Sequence, residues 1–221
     1  MYGLLAEAGD LRGRRVLDVG CGTGTLAAWL AENVAARVWG VDPSPEMLAV
    51  AREKVPASVG LKEGRAEALP FREAWFERVV LMLVVHHVER LAALAEVHRV
   101  LGAGGRLVIG TFAPAQFDDY YLGEFFPSIP VVDRARFETP EQLARVLTDA
   151  GFEDVEEHRL EQRVVLPREI VLARVRGKHI STFQLIRDDE YAAGLARIER
   201  ELPPSVESRV HWLVASAVRS D

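Results

Sequence analysis

Apolar residues recur along this chain in two alternating rhythms. Short runs with apolar side chains at neighbouring positions fall at Val16–Val19, Arg37–Val41, Val59–Glu63, Val79–Val85 and Arg106–Gly110. Runs of this kind predict strands, the most continuous of them buried on both faces. Between them apolar residues are spaced as on one face of a helix: Leu26 and Leu30; Met47, Leu48, Ala51 and Val55; Leu91, Leu94, Val97 and Leu101. Leu143, Val146, Leu147 and Ala150 repeat the spacing further on, and Met1–Gly9 is a short, mildly helical lead. The punctuation agrees with this reading. Ser44 is a good N-cap, Pro45 fits the first helical position and Glu46 suits the positive helix end. Gly102 is the predicted residue after the helix ending at Leu101. Thr139-Pro140-Glu141-Gln142 reads as a capping box. A charged strand near Val155–Val165 and a strand near Val210–Val218, apolar on both faces and so expected to lie centrally, complete the series. Strands alternating with helices predict one α/β domain over residues 1–221, a doubly wound, mostly parallel sheet.

Two stretches exceed what such a sheet needs. Residues 112–137 hold seven of the chain's seventeen aromatic residues. So long a connection is unusual unless functional or disordered, and the composition is unlike disorder. Residues 167–204 read as two helices, one ending near Gly177, the other carrying Tyr191, Leu195, Ile198 and Leu202 on one face. Between them Lys178-His179-Ile180-Ser181-Thr182, with Arg176, offers a polar cluster for an anionic or hydroxylated group. Both stretches are expected to form a helical and aromatic cap over a substrate, with Tyr120 or Tyr121 towards the reacting group.

The chemistry concentrates after the first strand, in Asp18-Val19-Gly20-Cys21-Gly22-Thr23-Gly24. Glycines at alternate positions end the strand, permit positive φ and leave no Cβ against a ligand. The turn is expected to aim free backbone N–H groups and a positive helix end at a small anionic group. A dinucleotide turn would read G-x-G-x-x-G, but counting from Gly20 the last glycine falls on Thr25. Asp42 ends the second strand, where its two oxygens can accept from both hydroxyls of a ribose. On that reading its loss would weaken ligand binding and spare the ligand-free fold. Asp18 either orients the turn or reaches a ligand ammonium through water, since a buried strand acid without such work is costly.

Composition narrows the classes. Hydrophobic residues make up 49% and charged residues 27% of the chain, ordinary for a globular domain. A formal net charge of −6 argues against a nucleic-acid surface. Cys21 is the single cysteine, which excludes an intrachain disulfide and points to a reducing compartment, the cytoplasm. No apolar run is long enough to span a membrane, and the histidines show no metal-ligand spacing.

The D-V-G-C-G-T-G run resembles the first motif of the class I S-adenosylmethionine-dependent methyltransferases. Gly64–Phe71 resembles that family's G-D-A-E-x-L-P-F element and Leu101–Ile109 its L-K-P-G-G-R-L-V-I element. His86-His87-Val88 matches the His-His-Val that often follows its fourth strand. The likeness runs from about Arg14 to Thr111 and continues weakly to Gly151-Phe152. It implies strand order 3-2-1-4-5-7-6 with strand 7 antiparallel, and S-adenosylmethionine as methyl donor with S-adenosylhomocysteine as product. It also implies transfer to a small-molecule acceptor, as in the ubiquinone/menaquinone-biosynthesis branch. It places Asp18, Gly20, Cys21, Gly22, Asp42, Pro43, Met47, Arg65, Ala66, Glu67 and Leu83 around the donor. His87, Tyr120 and Tyr121 are the candidates for the chemistry. Adjacent strand residues point opposite ways, so of His86 and His87 only one is expected to face the cleft. Base-methylating members carry Asn/Asp-Pro-Pro-aromatic where this chain has Leu83-Val84-Val85-His86, which points away from nucleic acid. Two departures stand out. The family usually has aspartate at position 65 for the adenine amino group, whereas Arg65 has no acceptor. Glu67 reaches in instead, the Ala66 backbone holds the ring edge alone, or Arg65 stacks on it. The family also has a longer helical leader, so cover comes from elsewhere or the site is more open. An NAD-binding oxidoreductase and a non-catalytic donor-binding protein are the competing classes.

Overall fold

The computed structural model describes residues 1–34, 36–118 and 120–220. In chain order the elements are α1 (Tyr2–Ala8), β1 (Arg15–Val19), α2 (Thr25–Asn33), β2 (Arg37–Asp42), α3 (Pro45–Lys54), β3 (Gly60–Glu63) and β4 (Phe76–Met82). Then follow α4 (Arg90–Val100), β5 (Leu101–Phe112), α5 (Ser128–Arg136), α6 (Pro140–Asp149), β6 (Phe152–Pro167), α7 (Arg168–Arg176), α8 (Asp188–Glu201) and β7 (Ser205–Arg219). Seven strands form one sheet of order β3-β2-β1-β4-β5-β7-β6, as expected from the motif resemblance, with β7 antiparallel. β1 pairs in parallel with β2 and β4, and β4 with β5.

The continuous apolar runs explain the centre of the sheet. Val16–Val19, Val79–Leu81 and Leu107–Ile109 are buried along their whole length, so both faces are covered. On one face Val16, Val38, Val80, Val108 and Val214 share a core cluster with Leu5 of α1 and Leu26, Ala27 and Leu30 of α2. β6 is an edge strand, and its alternating exposure accounts for its charges.

Two boundaries, one helix face and one connection differ from the sequence reading. β4 ends at Met82 rather than Val85, because Leu83 takes a left-handed φ of 57° and the chain enters a 3-10 turn over Val85–His87. Gly102 does not close α4; the chain passes directly into β5, and the left-handed glycine is Gly104. It sits within an irregularity where Phe76 and Arg78 of β4 oppose Leu101 and Arg106 of β5. Leu91 is 61% exposed, and Ala93, Leu94, Val97 and Val100 form the buried face of α4. Residues 112–137 are not a plain loop: they carry two 3-10 turns and the helix α5.

The chain divides into two compact units. One comprises Met1–Thr111, Pro140–His158 and Leu213–Asp221, the other Phe112–Thr139 and Arg159–Trp212. The stretches 112–137 and 167–204 both fall in the second. Its core joins Leu122, Phe125, Phe126 and Ile129 to Val171, Leu172 and Val175 of α7 and to Phe183, Ile198 and Leu202. No helix among the described residues is long and apolar enough to cross a membrane.

Candidate functional site

In the first unit the carboxyl ends of β1, β2 and β4 open on a cleft of about 330 Å³ lined by Gly20, Asp42, Pro43, Gly64, Arg65, Ala66, Glu67, Leu83, Val84, His87 and Val88. The three glycines of the turn all have positive φ, at 70°, 52° and 74° for Gly20, Gly22 and Gly24. They serve different ends. A Cβ on Gly20 would lie 2.4 Å from Val84 Cγ2, and one on Gly24 would lie 2.6 Å from Val55 Cγ1. At Gly22 it would meet nothing within 4 Å. Gly20 and Gly24 therefore let the chain pack, while Gly22 leaves room for something else.

Four N–H groups of the turn are engaged within the fold. Gly20 and Cys21 both donate to the Val41 carbonyl, at 2.8 and 3.0 Å, and Gly24 donates to the Cys21 carbonyl at 2.9 Å. Gly22 N–H donates to Asp42 Oδ2 at 2.8 Å, and Ser44 N–H to Asp42 Oδ1 at 2.9 Å. Asp42, 8% exposed, thus ties the glycine turn to the start of α3, where Ser44 Oγ caps Met47 N–H at 3.1 Å. The expectation that the ligand-free fold would not feel its loss is corrected. Each oxygen keeps lone-pair capacity for a ribose hydroxyl.

Asp18 is buried at 1% exposure on β1, and its Oδ2 has no hydrogen-bond partner. Burial first, then the Asp42 charge, push its carboxyl up to about 7, against the pull of the Ala27 N–H. The Asp42 carboxylate and the unpaired oxygen of Asp18, beside four engaged N–H groups, disfavour a pyrophosphate and suit a cation, whose approach would favour ionised Asp18. Cys21 is buried; its Sγ would be 2.8 Å from a Cβ on Gly40. Burial and the charges of Asp18 and Asp42 raise its thiol far above the ordinary range, so it is a packing residue in the turn.

Arg65 is 70% exposed in its side chain, with Nε 3.3 Å from Glu67 Oε2. Glu67 Oε1 accepts from Glu89 N–H at 3.0 Å, at the start of α4. Glu67 is thereby engaged as a brace between two segments, while Ala66, at 6% exposure, presents backbone to the cleft. Met47 stands 47% exposed on α3 and does not line the cleft. The motifs held Val84 and Val88 without marking them as lining residues, and nothing in the sequence marked Leu83 as left-handed, since a leucine does not signal its backbone angle. Leu83 N–H still donates to the Gly110 carbonyl at 2.8 Å, which holds the residue in a costly conformation.

His86 and His87 lie in the 3-10 turn, not on a strand, so they do not diverge. Their rings pair with centroids 4.1 Å apart, and His87 lines the cleft. Tyr120 and Tyr121 belong to the second unit, with ring centroids 5.4 Å apart against its core cluster. Burial raises both phenols, so they are neutral donors and not bases. The polar cluster of residues 176–182 is absorbed by internal contacts. Arg176 Nη2 lies 2.8 Å from Glu199 Oε1, and Lys178 Nζ lies 4.4 Å from the Tyr191 ring centroid. Arg136 donates to Ser181 and Thr182, whose hydroxyl donates to the buried Asp133. Among the described residues no group of three or more His, Cys, Asp or Glu could hold a metal.

The place of this cleft, at the carboxyl ends of β1, β2 and β4, agrees with what the chain is similar to. The methyltransferase domain model matches residues 17–109. The demethylmenaquinone methyltransferase of Chlorobaculum tepidum is 35% identical over 162 residues, covering 64% of this chain and 66% of that one. The ubiquinone/menaquinone biosynthesis C-methyltransferase of Erwinia tasmaniensis is 32% identical over 185 residues, covering 72% of this chain and 74% of that one. Part of each relative thus lies outside the match. The phosphoethanolamine N-methyltransferase 2 of Haemonchus contortus, solved with S-adenosylhomocysteine, has a TM-score of 0.64 at 22% identity, covering 99% of this chain and 52% of that one. By sequence over most of its length and by fold over nearly all of it, the chain belongs to the class I S-adenosylmethionine-dependent methyltransferases, of the ubiquinone/menaquinone type.

Proposed function

We propose that the protein transfers the methyl group of S-adenosylmethionine to a small-molecule acceptor in the cytoplasm. One observation carries the choice of ligand: the N–H groups of Gly20, Cys21, Gly22 and Gly24 are engaged, and two acids, Asp18 and Asp42, flank the turn with its open Gly22. Asp18 Oδ2 is the buried acceptor left for an ammonium, Asp42 the acceptor for ribose hydroxyls, and the Ala66 backbone the edge for adenine. Pro43, Arg65, Glu67, Leu83 and His87 complete the wall; Met47 does not reach it. The donor supplies a positively charged sulfonium whose leaving group is neutral, so placement matters more than strong acid–base work. Tyr120 and Tyr121 are assigned to the acceptor as aromatic surface with neutral hydroxyl donors.

The names of the quinone-methylating relatives make a demethylated quinol the first acceptor to test. The negative net charge and the Leu83-Val84-Val85-His86 sequence favour a small molecule over a nucleic acid, and the lone thiol of Cys21 favours a reducing compartment. Calorimetry with S-adenosylhomocysteine and with NAD tests the ligand; the first binds and the second does not. Labelled methyl donor, incubated with a demethylated quinol and with a metabolite extract, then gives a labelled small product. Tight NAD binding with no response to S-adenosylhomocysteine overturns the reading. Donor binding with no transfer to any acceptor leaves the non-catalytic class in its place.

A further inference from the structure

The first unit holds a cavity larger than the donor cleft, and no step of the chemistry uses it. It encloses about 430 Å³ between α1 and α2, against about 330 Å³ for the cleft, within the size range of small-molecule sites. One face of each helix builds the wall. Gly3, Ala6 and Glu7 recur at helical spacing on α1, and Trp29 and Asn33 stand one turn apart on α2. A Cβ on Gly3 would meet nothing within 4 Å, so α1 leaves the groove open there. Leu11 and Val34, both almost fully buried, add apolar lining. Trp29 supplies the aromatic surface, its ring packed by Tyr2 at a centroid distance of 5.6 Å. Asn33 Nδ2 donates to the Trp29 carbonyl at 2.9 Å, which fixes the amide.

The connection from α1 to β1 is held firmly. Asp10 has a left-handed φ of 48°, and its Oδ2 accepts from Arg78 Nη2 at 2.6 Å and from Arg14 Nη2 at 3.0 Å. Leu11 N–H donates to the Ala6 carbonyl at 3.0 Å and Gly13 N–H to the Val34 carbonyl at 3.2 Å. Two guanidinium groups thus balance Asp10. Glu7 and Arg12 differ from it. They line the same cavity with opposite charges, and among the described residues neither side chain enters a hydrogen bond or ion pair.

A preformed cavity with an aromatic surface and two separate, unmatched charges suits a molecule that carries both charges itself. We propose that it binds a small zwitterion with an apolar ring, of the free α-amino-acid class. The ammonium goes to Glu7, the carboxylate to Arg12 and the ring to Trp29, Leu11 and Val34. A guanidinium fork matches a carboxylate in geometry as well as charge, and two rings gain from packing beyond the area they bury. A plain cation would face Arg12 unmatched, and a plain anion Glu7. The site is separate from the donor cleft and stands or falls apart from the methyl-transfer reading.

Titration of the full chain with L-phenylalanine tests the site, followed by calorimetry and by the indole ¹H–¹⁵N resonance of Trp29, assigned by its absence in Trp29→Phe. Saturable binding that shifts this resonance is expected. Phenethylamine, without the carboxylate, and 3-phenylpropionate, without the ammonium, should each bind about tenfold or more weakly, the loss expected for one charged hydrogen-bond partner. Arg12→Gln should abolish the preference over phenethylamine, and Glu7→Gln the preference over 3-phenylpropionate. Both side chains are exposed, so both variants should melt as wild type. No saturable shift with L-phenylalanine overturns the proposal. So does either one-charge analogue binding as tightly as the amino acid, or a preference that survives its substitution. Calorimetry of the same variants with S-adenosylhomocysteine reads the donor cleft separately, and failure there bears on the methyl-transfer reading alone.

Discussion

Asp18 and Asp42 stand on the paired strands β1 and β2 and flank the glycine turn by opposite means. Asp18 has an unpaired oxygen and a carboxyl pushed up to about 7. In the unfolded chain an aspartate titrates near about 3.9, so the folded state keeps its proton through a window where the unfolded state has lost it. Stability contributed by this group therefore falls as pH rises from about 4 to 7, then levels. Asp18→Asn keeps the shape and cannot ionise. Its melting temperature is expected to exceed wild type by a margin that opens across that window, on the order of 5 °C or more at about 2–4 °C per kcal/mol. Thermal melts from pH 4 to pH 8 check this, and a margin independent of pH would show that burial is not what moves the carboxyl. Asp42 is paired through both oxygens. Asp42→Ala breaks two bonds to backbone N–H groups, each worth about 1.5–3 kcal/mol when the acceptor is charged. The ligand-free protein should melt several degrees lower and bind S-adenosylhomocysteine about tenfold or more weakly, with Asp42→Asn between. A variant that melts as wild type would return Asp42 to the role of a ribose acceptor only.

At the scale of the element, the glycine turn separates folding from binding residue by residue. Gly20→Ala drives a Cβ to 2.4 Å from Val84, in a left-handed backbone, and is expected to unfold the protein or strip it of soluble expression. Gly22→Ala meets no atom within 4 Å and pays only the left-handed backbone, about 1–2 kcal/mol. It should fold and melt a few degrees lower, and on the proposed reading it weakens S-adenosylhomocysteine binding, because the added methyl stands in open space beside Asp42. Full affinity in Gly22→Ala would remove that glycine from the ligand. The same scale shows what the sequence could reveal. Val79, Val80 and Leu81 are buried on both faces, and an unbroken apolar run says so directly. The end of that strand was not legible, since Val84 and Val85 extend the apolar run while the stop comes from the φ of Leu83. The engaged N–H groups of the turn were equally hidden: their partner, the Val41 carbonyl, lies on another strand. Motif spacing singled out the glycine turn and Asp42, but not which of their atoms are engaged within the fold.

Across the whole molecule, the two units differ in how much of their packing a linear pattern can carry. The first is built from strand and helix periods, and its site follows from where strands end. The second joins Asp133 to Thr182 and Leu122 to Ile198, contacts between distant residues that no local period encodes. Its aromatics therefore read as a surplus from sequence, and the structure shows many of them as core: Phe126 and Phe183 pack with centroids 5.1 Å apart, both almost fully buried. This changes how the tyrosine pair can be tested. Replacing Tyr120 and Tyr121 by alanine would remove two rings from that cluster, at about 3–5 kcal/mol each for a buried aromatic, and a loss of turnover would report the packing. Phenylalanine keeps the rings and deletes the hydroxyls, which burial holds in the neutral, donating form. Tyr120→Phe with Tyr121→Phe is expected to melt within a few degrees of wild type and to bind S-adenosylhomocysteine within a few-fold. Labelled-methyl transfer should fall about tenfold or more, in line with about 1.4 kcal/mol for a hydroxyl that orients the acceptor. Turnover equal to wild type, with the rings still in place, would make the pair a packing element of the second unit and would send the search for acceptor contacts elsewhere on it.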